Sequence, residues 1–181
     1  LDTHLRSEIR VLIQSVVHKL GKTTLLALNE PEDIMALCDY VLVLDEGRVV
    51  EYGPVQKIYK DPKEVSSLEA LSHLGINRFK IRVKNELTDP FGLPAAGHKD
   101  GIYDFCFRPQ DVKPGCPDDI VISEIQRTVY DGNHDLVTVK VEDITKSDQA
   151  EMNDKATIIL ERGTLKNNGI RLEKYFLFPA K

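Results

Sequence analysis

The sequence predicts an α/β segment followed by a small all-β barrel or sandwich. Two features point there. Up to about residue 75, apolar positions recur at helical spacing or in short unbroken runs, with helix-start signals between them. From Ile76 onward the chain changes to many short alternating runs separated by turn residues. The boundary is expected near residues 75 to 77, giving domains 1–75 and 76–181.

Asp2 reads as the cap of a first helix whose apolar positions are Leu5, Ile9, Leu12, Ile13, Val16, Val17 and Leu20. This stripe predicts a helix packed along one side, and Gly21 ends it. Thr23 to Leu28 reads as a strand buried on both faces of an α/β sheet. Asn29-Glu30-Pro31-Glu32 reads as a helix start, with Asn29 as cap and the helix running to about Asp39. Tyr40 to Leu44 and Arg48 to Tyr52 form a predicted hairpin across Asp45-Glu46-Gly47. A short helix from Gly53-Pro54 to Lys60 is broken by Asp61-Pro62. Ser66 and Glu69 read as a capping box for one more helix, ending at Gly75.

The predicted strands beyond are Phe79-Ile81-Val83, Ile102 to Phe107, Ile120 to Ile122, Ile125 to Tyr130, Leu136 to Val141, Ala156 to Leu160 and Arg171 to Phe178. Asp131-Gly132-Asn133 marks a turn between two of them.

Composition narrows the function classes. In 181 residues, 41% hydrophobic and 29% charged residues are an ordinary globular balance. A net charge of −5 argues against a general grip on nucleic acid. No apolar run approaches the ~18 residues of a membrane span, so any membrane link is expected through a partner. Leu1 stands where a start Met would, and Leu1 to Arg10 hold no signal-like apolar core, which reads as a piece of a longer chain. Cys38, Cys106 and Cys116 are expected as single thiols. His4, His18, His73, His98 and His134 are scattered, and no metal site is expected.

Gly21-Lys22-Thr23-Thr24 has the ending of a phosphate loop. The position five before Gly21 is Val16 rather than Gly, and a helix precedes the segment where the motif requires a strand. The phosphate-loop reading is rejected on that context.

A longer pattern carries more. Leu1-Asp2 before a helix, Thr23-Thr24 leading to Leu28-Asn29-Glu30, then Ala36-Leu37-Cys38-Asp39 and Tyr40-Val41-Leu42-Val43-Leu44 follow in order. Glu46-Gly47-Arg48-Val49-Val50-Glu51-Tyr52-Gly53-Pro54 and Ile58-Tyr59-x-x-Pro62 complete it. In order and spacing this resembles the end of an importer-type ABC ATPase, a P-loop NTPase domain, over about residues 1–62. Cys106-Phe107-Arg108-Pro109-Gln110-Asp111-Val112 is similar to the "I-R-P-E-D-V" segment of the transport-associated OB (TOBE) domains such proteins carry. Tyr130-Asp131-Gly132-Asn133 sits where they often have "L-G-N".

The resemblance implies an α/β remnant of the nucleotide-binding domain followed by an OB-like regulatory barrel of TOBE type. Asp2 falls on the dimer-contacting D-loop acid. Asn29 falls on the switch position, where the family has a His that reaches the γ-phosphate. Asn donates a hydrogen bond but carries no positive charge at any pH, which implies a weakened hydrolytic site in the parent. The parent is expected to use ATP and Mg; this chain alone is expected to bind neither tightly and to be inactive. Expected partners are a second copy, the transporter's membrane subunits and a regulator of the β-domain, on the cytoplasmic face of the membrane.

Two other readings compete. In a stand-alone β-module for small ligands or regulators, Arg108, Lys113 and Arg127 are candidate rim cations against a default of solvated charge. An OB-type nucleic-acid binder would use Tyr103, Phe105 and Phe107, whose period-two spacing fits a core face better.

Overall fold

The structure is a computed structural model, which describes residues 3–115, 120–130, 132, 134–141, 155–160 and 169–180. The chain divides into two compact units, Leu1–His73 and Leu74–Lys181.

In the first unit, α1 spans Thr3–Leu20 and ends on Gly21, whose φ of 56° is the left-handed stop that glycine adopts without strain. α2 spans Pro31–Leu37, β1 Tyr40–Asp45, β2 Arg48–Pro54, α3 Val55–Lys60 and α4 Val65–Ala70. The β1–β2 hairpin turns on Glu46 and Gly47, both at positive φ (47° and 75°), the two-residue turn whose twist matches its strands. Ile34, Val55, Ile58 and Leu71 make a small core with Leu28, Cys38, Val41 and Tyr59 against it.

Several expectations need correction here. Thr23 to Leu28 is not a strand: residues 22–30 carry no regular structure, and Leu25 is 96% exposed. A strand exists through its neighbours' hydrogen bonds, and no described strand lies beside this segment. The sole sheet described in this unit is the antiparallel hairpin.

The cap of α2 is Glu30 rather than Asn29, without a side-chain cap bond, and the helix stops at Leu37, short of Asp39. α4 is capped at Glu64; Ser66 lies inside the helix and donates to Asp45 Oδ2, so the Ser66–Glu69 capping box does not form, and the helix ends before Gly75.

The α1 stripe is also turned. Arg6, Arg10 and Gln14, four apart and so on one side of the helix, bind α2, while Leu5, Ile9, Leu12, Val16 and Leu20 are exposed.

The second unit holds β3 (Asn77–Lys84), β4 (Leu87–Asp89), β5 (Gly101–Phe107), a 3-10 turn (Pro109–Asp111) and β6 (Val112–Pro114). β7 (Ile120–Tyr130), β8 (Asp135–Val141), β9 (Lys155–Leu160), β10 (Gly169–Leu172) and β11 (Phe176–Pro179) follow. They form two antiparallel sheets, in the orders β6-β10-β7-β8-β9 and β11-β5-β3-β4. β3 buries every second residue, as its alternation predicts.

The apolar faces of both sheets meet in one core. Phe79, Ile81, Phe105 and Phe107 come from one, and Ile122, Val137, Val139, Val141, Ile158 and Ile170 from the other. Tyr103 packs at its edge, so the alternating aromatics face inward.

Ile120 to Ile122 and Ile125 to Tyr130 are one strand, with register irregularities between Ile122 and Glu124 and between Ile125 and Arg127. Arg171 to Phe178 is two strands, broken at 173–175. Of the Asp131-Gly132-Asn133 turn, positions 131 and 133 lie outside the described residues, as does Cys116. Neither Cys38 nor Cys106 is in a disulfide, and burial pushes the Cys38 thiol up, with Asp39 adding to it.

Candidate functional site

Asn29 closes the unstructured 22–30 segment, one residue before the cap of α2, and is exposed. Its surroundings are charged. Arg6 of α1 lies 3.5 Å from Glu30 and 3.9 Å from Asp33, and Arg10 reaches Glu32 at 3.1 Å and bonds Asp33. Gln14 Nε2 donates to Ala36 O at 2.7 Å. The guanidinium of Arg10 is raised from its ordinary value, first by the Asp33 hydrogen bond and then by Glu32. α2 and its cap are therefore pinned to α1 by two arginines and a glutamine, while Asn29 itself is exposed. A side-chain amide both donates and accepts hydrogen bonds but does not titrate, so it takes no part in proton transfer.

Asp2 lies outside the described residues. No backbone cradle forms at Gly21-Lys22-Thr23-Thr24, since helix precedes it and an unstructured segment follows. The described residues at 21–24 thus form no phosphate grip. Among the described residues, no three His, Cys, Asp or Glu side chains converge as a metal ligand set. No described helix is long and apolar enough to cross a membrane.

The three candidate cations of the second unit sit on separate elements. Arg108, just ahead of the 3-10 turn, is 1% exposed, lies 3.9 Å from Asp111 and covers the Phe176 ring at 5.5 Å. Lys113 on β6 is exposed and pairs with Glu173. Arg127 on β7 is exposed, opposite Thr138 of β8. Burial raises the Asp111 carboxyl, against the pull of Arg108 and Lys174. Its Oδ2 is buried with no hydrogen-bond partner among the described residues.

Sequence reasoning passed over Arg6, Arg10 and Gln14, whose four-residue spacing on the flank of the apolar stripe was the available signal. It also passed over the row of cations on β3.

No family model matches the chain. Curated proteins do. The glucose import ATP-binding protein GlcV of Saccharolobus solfataricus is 33% identical over 116 residues, 62% of this chain and 32% of that protein. The sulfate/thiosulfate import ATP-binding protein CysA of Mesorhizobium japonicum is 30% identical over 123 residues, 64% of this chain and 33% of that protein. The spermidine/putrescine import ATP-binding protein PotA of Clostridium acetobutylicum is 24% identical over 152 residues, 80% of this chain and 43% of that protein. The chain is a relative of the ATP-binding subunits of ABC importers and corresponds to their C-terminal region. The matches span between 32% and 43% of the length of these relatives.

Proposed function

We propose that the chain is the C-terminal part of the ATP-hydrolysing subunit of an ABC importer. Its first unit would be the end of the α/β nucleotide-binding domain, with Asp2 in the D-loop and Asn29 at the switch position. Its second unit would be a regulatory and dimer-forming OB-like domain of TOBE type. The observation that carries the reading is an order of elements. From Asn29 onward, α2, β1, the Glu46-Gly47 turn, β2, α3 and Pro62 follow one another in the order of the sequence pattern, while the strand expected ahead of Asn29 is not formed. The import ATP-binding proteins matched over the chain support the same reading.

The parent would bind ATP and Mg and act with a second copy and with membrane subunits at the cytoplasmic face. Asn29 would supply a hydrogen bond where a His would supply a hydrogen bond and, when protonated, a charge. Loss of one such stabiliser costs ~100–1,000-fold in rate. Replacing Asn29 by His in the full-length subunit is expected to raise ATP turnover, with ATP affinity little changed. Turnover that stays the same in N29H would remove Asn29 from the switch role.

Regulation is assigned to the second unit. Lys113 and Arg127 are exposed there, and Arg108 is held beneath the surface. Oxyanions that raise the thermal midpoint of the intact chain, and fail to do so in K113Q and R127Q, would support them as ligand contacts.

A further inference from the structure

β3 has a second pattern besides its buried one. Between Asn77, Phe79, Ile81 and Val83, all buried, stand Arg78, Lys80, Arg82 and Lys84, all exposed. Alternate side chains of a strand share a face, with ~6.6 Å between successive members of the row. Four cations therefore line up on the outer face of one strand, in a chain whose net charge is −5. Like charges at this spacing repel, so only a member that meets a carboxylate helps to hold β3 in place.

Few carboxylates answer it. Asp104, opposite Lys80, is buried and accepts from Arg78 Nη2 at 2.9 Å. Asp89 stands opposite Arg82 on β4. Among the described residues, no ion pair engages Lys80, Arg82 or Lys84.

We propose that this row docks an extended acidic segment of a partner protein, whose carboxylates at alternate positions meet Lys80, Arg82 and Lys84. The fit is one of spacing and sign: an extended chain repeats its own side chains at the same two-residue distance. A nucleic acid is less well matched, because single strands are held by accessible aromatic rings beside the cations. The rings on this face of the sheet are Phe178, which is buried, and Phe176, which lies beneath Arg108 and Lys174. The docking surface does not depend on the parent being a transport ATPase.

The test is fluorescence anisotropy of the intact chain with a labelled peptide of alternating Asp and Thr. Saturable binding is expected, weakening as salt is added and absent for the alternating Asn-Thr peptide. The triple variant K80E/R82E/K84E is expected to lose about tenfold in affinity, the summed effect of three exposed charge pairs. The same variant should gain affinity for an alternating Lys-Thr peptide, which an unfolded protein would not do selectively. Undiminished binding by the triple variant overturns the proposal, and so does no binding by the native chain. Tighter binding to single-stranded DNA or to phosphatidylserine vesicles than to the acidic peptide overturns it as well.

Discussion

The side chain of Asn77 stands in for a neighbouring strand at Thr157. Its Nδ2 donates to the Thr157 carbonyl at 2.7 Å, and its Oδ1 accepts from the Thr157 backbone N–H at 2.6 Å. β9 is the last strand of its sheet, so one amide completes the ladder there and ties the start of β3 to the edge of the other sheet. Asn77 is 5% exposed, which makes both bonds costly to lose.

Asn77→Ala is expected to destabilise the chain by about 2–3 kcal/mol, because a buried donor and acceptor lose their partners together. Asn77→Asp should be at least as harmful, since it keeps one acceptor and sets a charge against a carbonyl. Thr157→Ala should cost less than either, because the bonds go to its backbone. Urea unfolding followed by circular dichroism ranks the three; equal losses at Asn77 and Thr157 would remove the clasp.

That clasp explains part of what the sequence concealed, since its two ends are 80 residues apart and neither carries a motif. Elements whose pattern is local were legible: β3 and β5 from alternation, the β1–β2 hairpin from Glu46-Gly47. β4 and β6, three residues each, are too short to show a period. The break between β10 and β11 falls within a run that looks continuous. Thr23 to Leu28 and the α1 stripe misled for one shared reason. Apolarity shows that a segment is suited to burial, but the neighbours that would bury it are a tertiary fact. At the candidate site, Asn29 was legible from its place before Pro31, and its charged surroundings were not.

Asp111 makes the stability depend on pH. Burial raises its carboxyl above the ordinary 3.8, so the folded chain holds that proton to higher pH than the unfolded chain does. Its contribution is full below the unfolded value and is lost as pH rises from about 3.8 through the raised folded value. Asp111→Asn is expected to flatten that part of the stability profile. Parallel profiles of D111N and the native chain, from thermal melts across the acidic range, would contradict the burial argument.

Leu5, Ile9, Leu12, Val16 and Leu20 of α1, with Leu42, Leu44, Val49 and Tyr52 of the hairpin, leave the first unit with a broad exposed apolar surface. Self-association in solution is expected, rising with concentration. Leu12→Glu with Val16→Glu should shift the chain toward monomer in light scattering. A clean native monomer at high concentration would count against it.

The proposed subunit would hold its nucleotide machinery almost wholly outside this chain, with Asn29 at the switch position and a regulatory second unit. Calorimetric titration of Mg-ATP into the 181-residue chain tests it most directly. No micromolar binding to the chain is expected, against clear binding to the full-length subunit; micromolar affinity in the chain alone would overturn that reading.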